Sequence, residues 1–383
     1  MKVTGDWLDK QGTQAVCAML TDAGFQALFV GGCVRNALMN EPVGDIDIAT
    51  DARPETVILL SKKAGFKPVP TGLEHGTVTV VADHTPHEIT TFRKDVETHG
   101  RHATVAFSSD VIEDAERRDF TMNALYATAN GMVVDPLGGI DDLRARYVRF
   151  IDDAGQRIRE DYLRILRFFR FHAWYGDPHG GLDAEGLAAA AEHLDGLSGL
   201  SRERIGAETL KLLSAPDPAP SVAAMRATGV LRAVLPGTDD KYLAPLVHIE
   251  SLFAVKPDPL RRLMCLGGEN PIELLRMSKS QARRLQILRS EVQSSKKALE
   301  LGYRFGIETG LDILLLRAAF LEQQLDQAIR EDLKTGAASI YPIKAQDLMA
   351  DYTGPALGVR LRELEQRWID SGFSLTKNEL LNT

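Results

Sequence analysis

The segment GDIDIAT, residues 44–50, decides the fold of the N-terminal part of this chain. Its apolar and polar side chains alternate, which predicts a β-strand with one face in a core. Side chains two positions apart share a face, so the carboxylates of Asp45 and Asp47 project together while Ile46 and Ile48 pack inward. Two neighbouring carboxylates repel each other without a cation, and such hard oxygen ligands suit Mg²⁺. An Asp-x-Asp pair is short, however, and glycosyltransferases and many surface loops also contain one.

Further short elements around this segment predict a mixed α/β region. A helical pattern follows Gly32, and Pro54 favours the start of another helix. Two runs, GTVTVVA and HEITTFR, are expected to pair as antiparallel strands. The candidate strands lie at residues 28–30, 44–50, 76–82, 87–93, 132–136 and 147–152.

From Arg157 onward the pattern changes to amphipathic helical periods, with breaks at SAPDPAPS (214–221) and LGYRFGIETG (301–310). The fold class is therefore predicted as α+β, with a small α/β head followed by an all-helical remainder. The expected domains are a head at 1–150 and three helical parts at 151–215, 216–300 and 301–383.

Two glycines and an arginine form a candidate phosphate site before GDIDIAT. Gly31 and Gly32 stand between a strand and a helix, where backbone N–H groups can approach a phosphate. Arg35 is one helical turn further on and can reach the same group. A tight turn made only for packing is the alternative.

A third carboxylate, Glu88, is expected on a later strand, with His87 and Ile89 facing the opposite way. It is then free to face Asp45 and Asp47. Three carboxylates together can hold two Mg²⁺ ions for in-line phosphoryl displacement. Alone, Glu88 fits an exposed strand residue equally well.

Two arginine-containing motifs complete the candidate site. In RRDFTMN (117–123), Arg118 and Asn123 are five residues apart, and the arginine fork matches phosphate oxygens. In EDYLRILRFFR (160–170), the spacing predicts a stripe along one helix, which can complement the Watson–Crick edge of a base. The stripe consists of Asp161, Arg164, Arg167 and Arg170. An exposed helix start and an intrahelical salt-bridge ladder are the respective alternatives, although the ladder lacks acids for the last two arginines.

Composition limits the class of protein. The 383 residues are 44% apolar and 26% charged, which is typical of globular proteins and excludes disordered and fibrous classes. No apolar run approaches about 18 residues, so no membrane-spanning helix is predicted. Without an apolar signal core near the N-terminus, we expect a cytoplasmic location. Cys17, Cys33 and Cys265 lack metal-ligand or disulfide spacing and are expected to be buried thiols.

Charge is unevenly distributed in a chain whose net charge is −8. Residues 144–170 contain eight arginines and four acids, and residues 276–304 contain eight basic residues and two acids. Such tracts can bind a polyanion, and the second, which contains Arg283 and Arg284, is the stronger candidate because it holds fewer acids. Solvated helix faces explain each tract taken alone.

The ordered set of motifs resembles the class II CCA-adding tRNA nucleotidyltransferase and bacterial poly(A) polymerase family, within the DNA polymerase β nucleotidyltransferase superfamily. The resemblance covers residues 25–235. It is carried by FVGGCVRNAL, GDIDIAT, HEITTFR, RRDFTMNALY, DPLGGIDDL, REDYLRILRFFRF and LSRERIGAETLKLL. It implies a nucleotidyltransferase head with helical neck, body and tail, CTP and ATP as substrates, tRNA as partner and Mg²⁺ as cofactor. No protein partner and no membrane are implied. With tRNA as the partner, residues 276–304 become our candidate for a tRNA-backbone surface, with Arg283 and Arg284 as its test positions.

The resemblance also implies roles for individual residues. Asp45 and Asp47 match the metal ligands, and Glu88 matches the third catalytic carboxylate. Asp161 and Arg164 match the pair that selects the base. The full nucleotide-binding set is expected to be Gly31, Gly32, Arg35, Arg118, Asn123, Asp161, Arg164, Arg167 and Arg170. Asn36 departs from the family, since relatives usually carry Asp there.

Several activities compete within this resemblance. Poly(A) polymerases usually carry a basic Gly-Arg-Arg-Phe-like segment where this chain has TGLEHGT (71–77), which favours CCA addition. Partial addition of CC or A stays open, and the segment Lys94–Ser109 is expected to be a mobile loop where members differ in this respect. None of the nine histidines precedes an Asp, so no His-Asp phosphohydrolase domain is expected. A catalytically silent RNA-binding protein and a glycosyltransferase are the remaining alternatives.

Overall fold

The structure is a computed structural model that describes residues 1–99 and 102–382. It divides into two compact units, Met1–Pro236 and Gly237–Thr383. The strands of the described residues all lie in the first unit and are β1 (Leu28–Val30), β2 (Ile46–Thr50), β3 (Lys67–Gly72), β4 (Thr77–Ala82), β5 (Thr85–Thr91), β6 (Arg93–His99), β7 (His102–Phe107), β8 (Tyr126–Thr128) and β9 (Val133–Val134).

Helices of the first unit flank the strands and then continue alone. They are α1 (Asp6–Asp9), α2 (Gln11–Thr21), α3 (Gly32–Leu38), α4 (Pro54–Lys63), α5 (Val111–Glu116), α6 (Gly139–Arg144), α7 (Ala154–Glu160), α8 (Leu163–Tyr175), α9 (Ala184–Glu192), α10 (Arg202–Leu213), α11 (Ala219–Ala227) and α12 (Val230–Val234).

The regular elements of the second unit are helices, apart from an isolated bridge between Thr238 and Gly267, within its described residues. Its helices are α13 (Leu243–Leu252), α14 (Pro259–Leu266), α15 (Pro271–Leu274), α16 (Lys279–Glu291), α17 (Ala298–Leu321), α18 (Ile329–Ala338), α19 (Gly354–Asp370) and α20 (Lys377–Leu381). The α+β class is confirmed, and no helix among the described residues has the length and apolarity needed to cross a bilayer. The four domain boundaries stay a prediction.

The main sheet places β2 at its centre. Its strand order is β3-β4-β5-β2-β1-β8-β9, with β2 and β5 parallel. Ile46 and Ile48 of β2 are buried in the core, as the alternation predicted. In the parallel pair, Asp47 lies directly opposite Glu88. Adjacent strands therefore present these two carboxylates side by side.

The register of β5 is fixed by its hairpin with β4 and by a buried histidine. The hairpin closes through Asp83 and His84, which both have positive φ, as a two-residue type I′ turn requires. His87 is fully buried, its Nε2 lies 2.9 Å from the Thr13 hydroxyl and its Nδ1 lies 3.3 Å from the carbonyl of Val80. Because neighbouring side chains alternate between faces, burying His87 turns Glu88 outward.

Two sequence expectations about strands are wrong. Lys94–Ser109 is not a loop for most of its length, because β6 and β7 pair antiparallel, and residues 100 and 101 lie outside the described residues. The HATVAF segment of β7 contains the β-branched and aromatic residues that favour a strand, but the charges of β6 masked the pattern. Residues 147–152 form only an isolated bridge, between Phe120 and Phe150, rather than a strand.

Helix α8 joins the sheet region to the helices that follow it. It packs against α7, α10 and α11. Phe168 and Phe171 of α8 contact an aromatic pair from the preceding segment, Phe120 and Phe150, with ring centroids 4.8–6.4 Å apart. This buried cluster fixes the inner face of α8 against the RRDFTMN segment.

Both sequence breaks interrupt helices, as predicted. Helix α10 ends at Leu213 and α11 begins at Ala219, on either side of Pro216 and Pro218. In the second unit, Gly306 interrupts α17 with φ 78° and ψ 175°. This conformation is essentially restricted to glycine.

The core of the second unit contains a network of buried charges. Arg261 and Arg262 of α14 bind the two oxygens of Glu250, at 2.7 and 2.8 Å. Arg261 also binds Asp312 of α17 at 2.6 Å, and Arg284 of α16 binds the same carboxylate at 2.5 Å. The network connects α13, α14, α16 and α17, and no pattern in the sequence predicted it.

Candidate active site

A cleft of about 360 Å³ lies in the first unit, where the sheet faces α8 and α10. Carboxylates and arginines dominate its walls. The lining residues are Val30, Asp47, Glu88, Thr90, Arg93, Arg117, Arg118, Asp119, Asn123, Asp161, Leu163, Arg164, Arg167 and Arg204. The six arginines outnumber the four carboxylates of the lining, and this excess of positive charge suits a polyphosphate.

Carboxylates form one wall of the cleft. Asp47 is half-buried and Glu88 is exposed on the neighbouring strand, whereas Asp45, exposed one residue before β2, is not among the lining residues. Burial and the negative charge of Glu88 raise the pKa of Asp47 to about 6; Asp45 adds to the shift, whereas Arg118 opposes it. The site therefore concentrates negative charge that a cation would stabilise.

The sequence predicted that three carboxylates of this site hold a divalent cation. Among the described residues, no group of three Asp, Glu, His or Cys side chains is arranged to hold a metal ion. The expected three-carboxylate metal cluster therefore stays a prediction. Asp45 and Asp47 still fit Mg²⁺, because this ion usually takes one or two protein carboxylates and completes its shell with water and substrate phosphates.

Arg118 is held rigidly above this wall. Its guanidinium donates to Asp114 at 3.0 Å and to the hydroxyl of Tyr126 at 3.1 Å. Asp114 is buried and also binds Arg117 at 3.0 Å. Burial opposes ionisation of Arg118, but Asp114 outweighs it and raises the pKa of the guanidinium. Arg118 stays charged with little freedom to reorient.

A chain of polar contacts runs from the cleft wall into the layer behind it. Asp119 accepts from Arg167 and from the amide of Asn123, at 2.7 and 3.0 Å. Burial opposes ionisation, but Arg167 outweighs it and lowers the pKa of Asp119 to about 2. Asn123 in turn accepts from Arg35 at 2.8 Å, and Arg35 donates to the hydroxyl of Tyr175 at 2.9 Å.

Arg35 lies within this layer rather than among the lining residues of the cleft. Its side chain is buried, and the ring centroid of Tyr175 is 3.9 Å from the guanidinium carbon. Burial lowers the pKa of Arg35, and its Nε has no hydrogen-bond partner among the described residues. A buried cation with an unpaired donor fits a site that receives an anion.

The two glycines lie at the start of α3, beside the same layer. Gly31 has φ 69° and ψ −119°, which strongly favours glycine. A Cβ on Gly31 would lie 3.6 Å from both Arg118 and Asn123, and one on Gly32 would lie 3.8 Å from Arg35. These distances are ordinary van der Waals contacts, so the backbone conformation of Gly31, and not close packing, favours glycine there. Neither glycine lines the cleft.

The predicted stripe on one helix is wrong for its first member. Asp161 follows the end of α7 and precedes α8, with extended backbone, and its Oδ1 accepts from the N–H of Leu163 at 3.1 Å. The proposed base-reading carboxylate therefore lies in the turn between two helices, because its side chain bonds to the backbone two residues on, as an Asx turn does.

The three arginines of the stripe have partners from several elements. Arg164 donates to Glu160 and to the carbonyls of Arg157 and Arg117, at 2.5, 2.9 and 2.9 Å. Arg167 pairs with Asp119, as described above. Arg170 pairs with Glu208 of α10 at 2.5 Å and does not line the cleft. The absence of acids on the stripe was misleading, because the acids come from elsewhere in the fold.

Comparison with known proteins identifies the family. Residues 27–149 match the family described as Poly A polymerase head domain, and residues 182–242 match the one described as probable RNA and SrmB-binding site of polymerase A. The mitochondrial CCA tRNA nucleotidyltransferase 1 of Homo sapiens is 31% identical, over 97% of this chain and 89% of that protein. The chain belongs to the CCA tRNA nucleotidyltransferase family.

Other members of the family agree in sequence and structure. The CCA-adding enzyme of Streptococcus gordonii is 33% identical over 91% of this chain and 90% of that protein. The crystal structure of the Bacillus stearothermophilus CCA-adding enzyme in complex with CTP superimposes with a TM-score of 0.76 at 28% identity, covering 94% of this chain and 93% of that one. The resemblance inferred from the motifs is confirmed, and the chain is a nucleotidyltransferase of a family that uses a divalent metal. The human relative is named as a mitochondrial protein, so the cytoplasmic location of this chain stays a prediction.

Several lining residues of this CCA tRNA nucleotidyltransferase family member were not assigned from the sequence. Arg117 and Asp119 belong to RRDFTMN, and Arg204 belongs to LSRERIGAETLKLL. Both motifs pointed to the family, but no role was predicted for these three residues. Arg93 and Thr90 follow Glu88 on or after β5. Alternation from Glu88 would have placed Thr90 on the same face.

Proposed function

We propose that this chain adds C, C and A in turn to the 3′ end of tRNA, with CTP and ATP as substrates and no nucleic-acid template. The observation that carries the proposal is the cleft in which Asp47 and Glu88 face six arginines. Relatives named as CCA-adding enzymes over most of the chain, and a similar enzyme solved with CTP, support it. CCA addition needs a site for a triphosphate, a base and an RNA end, which this charge arrangement can provide.

Mg²⁺ is the cofactor we propose, held by Asp45 and Asp47. When bound, it would polarise the phosphates and favour ionisation of the attacking hydroxyl. A raised pKa of Asp47 is consistent with this assignment, because a carboxylate in a concentrated negative site gains most from a cation.

The chain's own residues perform the remaining work. The 3′-hydroxyl of the RNA attacks the α-phosphate in line, so that an O3′–P bond forms while the bond to pyrophosphate breaks. We assign Glu88, exposed beside Asp47, to accept the hydroxyl proton. Arg118 stabilises the charge on the leaving pyrophosphate, since its contacts with Asp114 fix it before the reaction. Arg35 supports the same anion from the layer behind, beside Gly31 and Gly32 at the start of α3.

Asp161 and Arg164 are the residues we propose for base selection. Each oxygen of Asp161 makes one hydrogen bond among the described residues, which leaves lone pairs for an exocyclic amino group. Arg164 uses three of its five N–H donors within the described residues, which leaves donors for a ring nitrogen. Cytosine and adenine both present an amino donor beside a ring-nitrogen acceptor, whereas uracil and guanine reverse this pattern. Arg167 and Arg170 lie further along α8 and extend the positive charge.

The decisive experiment is incorporation of labelled nucleotides into a tRNA transcript that lacks its 3′ CCA. We expect CTP and ATP to be added in order and to stop after one CCA, with UTP and GTP rejected. A long adenosine tail would instead identify a poly(A) polymerase. That second candidate is favoured by one observation, the match of residues 27–149 to the Poly A polymerase head domain. Addition of CC or A alone would identify a partial enzyme, and no addition would support a silent RNA-binding protein.

We propose the domain roles that the family implies. Residues 1–150 would be the catalytic head, 151–215 the neck that recognises the base, 216–300 the body that binds tRNA and 301–383 the tail. A cytoplasmic location is proposed with them.

A further inference from the structure

We propose that Arg204 is a specificity-positioning residue, which holds the carboxylate of Asp161 in the orientation that selects cytosine and adenine. The inference rests on the proposed function, in which Asp161 reads the base. Arg204 lies in the first turn of α10 and lines the same cleft as Asp161.

The two carboxylate oxygens of Asp161 accept from donors on different helices. Its Oδ2 accepts from Nη2 of Arg204 at 2.6 Å, and its Oδ1 accepts from the backbone N–H of Leu163 at 3.1 Å. A short charge-assisted bond of this kind restricts orientation as well as position. The carboxylate plane is therefore set by α10 on one side and by the start of α8 on the other.

Asp161 needs this support because no regular element holds it. It lies in the turn between α7 and α8, and its side chain is one-third exposed. An exposed side chain in a turn would sample several rotamers without a partner, and discrimination between bases depends on a fixed acceptor. Arg204 is 27% exposed, and Asp161 is its ion-pair partner among the described residues.

The arrangement also leaves the acceptors that the base requires. A carboxylate offers about four lone-pair sites, and the two contacts occupy one on each oxygen. Arg204 thus orients Asp161 without consuming its capacity to accept the amino hydrogen of cytosine or adenine. Arg164, the proposed partner in base selection, is held by a different set of groups, Glu160 and two carbonyls. Loss of Arg204 should therefore loosen one half of the reading pair only.

The test compares Arg204→Ala, Arg204→Lys and the control Lys211→Ala, an exposed residue of the same helix. For each full-length variant, kcat/KM is measured for CTP and for UTP with tRNA lacking CCA. Because Arg204→Ala removes the charge-assisted bond that orients Asp161, it should lower the CTP-over-UTP preference roughly tenfold or more. Arg204→Lys should recover part of it, and Lys211→Ala should leave it unchanged.

A double-mutant cycle with Asp161→Ala separates the possible outcomes. If Arg204 acts through Asp161, adding Arg204→Ala to Asp161→Ala should change the preference no further. Additive losses, or a normal preference in a folded Arg204→Ala protein, would overturn the inference while the role of Asp161 stands. A normal preference in Asp161→Ala itself would overturn the proposed base reading. Thermal melting of each variant identifies loss of folding, and Arg204→Lys keeps the test valid if Arg204→Ala fails to fold.

Discussion

At the scale of single residues, Asp47 combines a functional role with a cost to stability. Its folded pKa is about 6 against 3.8 ordinarily, so the folded protein binds this proton more tightly than the unfolded chain does. Stability therefore falls as pH rises from about 4 to 6, and ionised Asp47 costs about 2–3 kcal/mol at neutral pH.

Replacing Asp47 with Asn should accordingly stabilise the metal-free protein at pH 7 while abolishing incorporation of CTP and ATP alike. Melting in the presence of a chelator measures the first effect, and transfer assays measure the second. Asp45→Asn, at an exposed position, is the matched control, which should lose activity without a comparable gain in stability. Normal turnover in Asp47→Asn with either nucleotide would contradict the metal assignment.

Base choice belongs to the same scale. Mispairing of buried donors and acceptors costs about 1–3 kcal/mol for each group, which corresponds to roughly tenfold to hundredfold discrimination. Asp161→Ala should relax rejection of UTP and GTP more than it slows transfer at saturating CTP. Arg164→Ala should weaken CTP and ATP together. Misincorporation assays with each nucleotide provide the measurement, and an unchanged CTP-to-UTP preference in Asp161→Ala would leave Glu160 and Arg164 as a salt bridge only.

The sequence predicted the residues of the site better than their surroundings. Alternation around Asp47 and Glu88 was sufficient to place both on one face, because strand periodicity is local. Asp161 could not be placed correctly, because its spacing to Arg164 and Arg167 is also that of a continuous helix. The turn that it forms instead depends on a side-chain contact with the backbone N–H of Leu163. The partners of Arg167 and Arg170 were also beyond prediction, because Asp119 and Glu208 are distant in sequence.

At the scale of elements, α16 divides the basic tract at residues 276–304 into two kinds of arginine. Arg283 is exposed, together with Lys279 and Arg289. Arg284 instead binds Asp258 and Asp312 and belongs to the buried network of the second unit. The pairing of Arg283 and Arg284 as one tRNA-backbone surface is therefore wrong for Arg284.

Charge reversal separates the two roles. Arg283→Glu should raise the KM for tRNA and leave that for CTP unchanged, because a phosphate contact is lost. Arg284→Glu should lower the free energy of unfolding by about 3 kcal/mol, because it places a carboxylate beside Asp258 and the buried Asp312, which then keeps only Arg261 among the partners described above. Steady-state kinetics and denaturant unfolding measure these effects. If both variants changed unfolding equally and neither changed tRNA binding, the exposed basic residues of α16 would be a solvated helix face and not a tRNA-binding surface.

The break in α17 offers a second test at this scale. Gly306→Ala should destabilise the protein by about 1–3 kcal/mol, since φ near 78° with extended ψ strains any residue with a Cβ. Within the described residues, no neighbouring atom lies within 4 Å of the position that this Cβ would occupy, so backbone strain alone is tested. Gly358→Ala within α19 is the control and should be neutral or stabilise by up to about 1 kcal/mol. Urea unfolding distinguishes them, and equal stability of both variants would contradict the strain.

At the scale of the whole molecule, net charge and local charge act in opposite directions. The chain carries −8 overall, yet six arginines line one cleft and α16 exposes a basic side. Binding of tRNA should therefore rely on local phosphate contacts that release counterions. We expect the KM for tRNA to rise roughly tenfold or more between about 50 and 200 mM salt, and that for CTP to rise less. A KM for tRNA that is insensitive to salt would contradict this view.

The hairpin turn at Asp83 and His84 determines which residue of β5 lies opposite Asp47. Because strand faces alternate, a slip of β5 by one position would put His87 at the cleft and Glu88 in the core. Inserting a single residue into this turn should therefore act like deletion of the carboxylate, even if the sheet survives. Substitutions can change the arginines of the cleft one at a time, whereas the pairing of Asp47 with Glu88 depends on the number of residues in this turn.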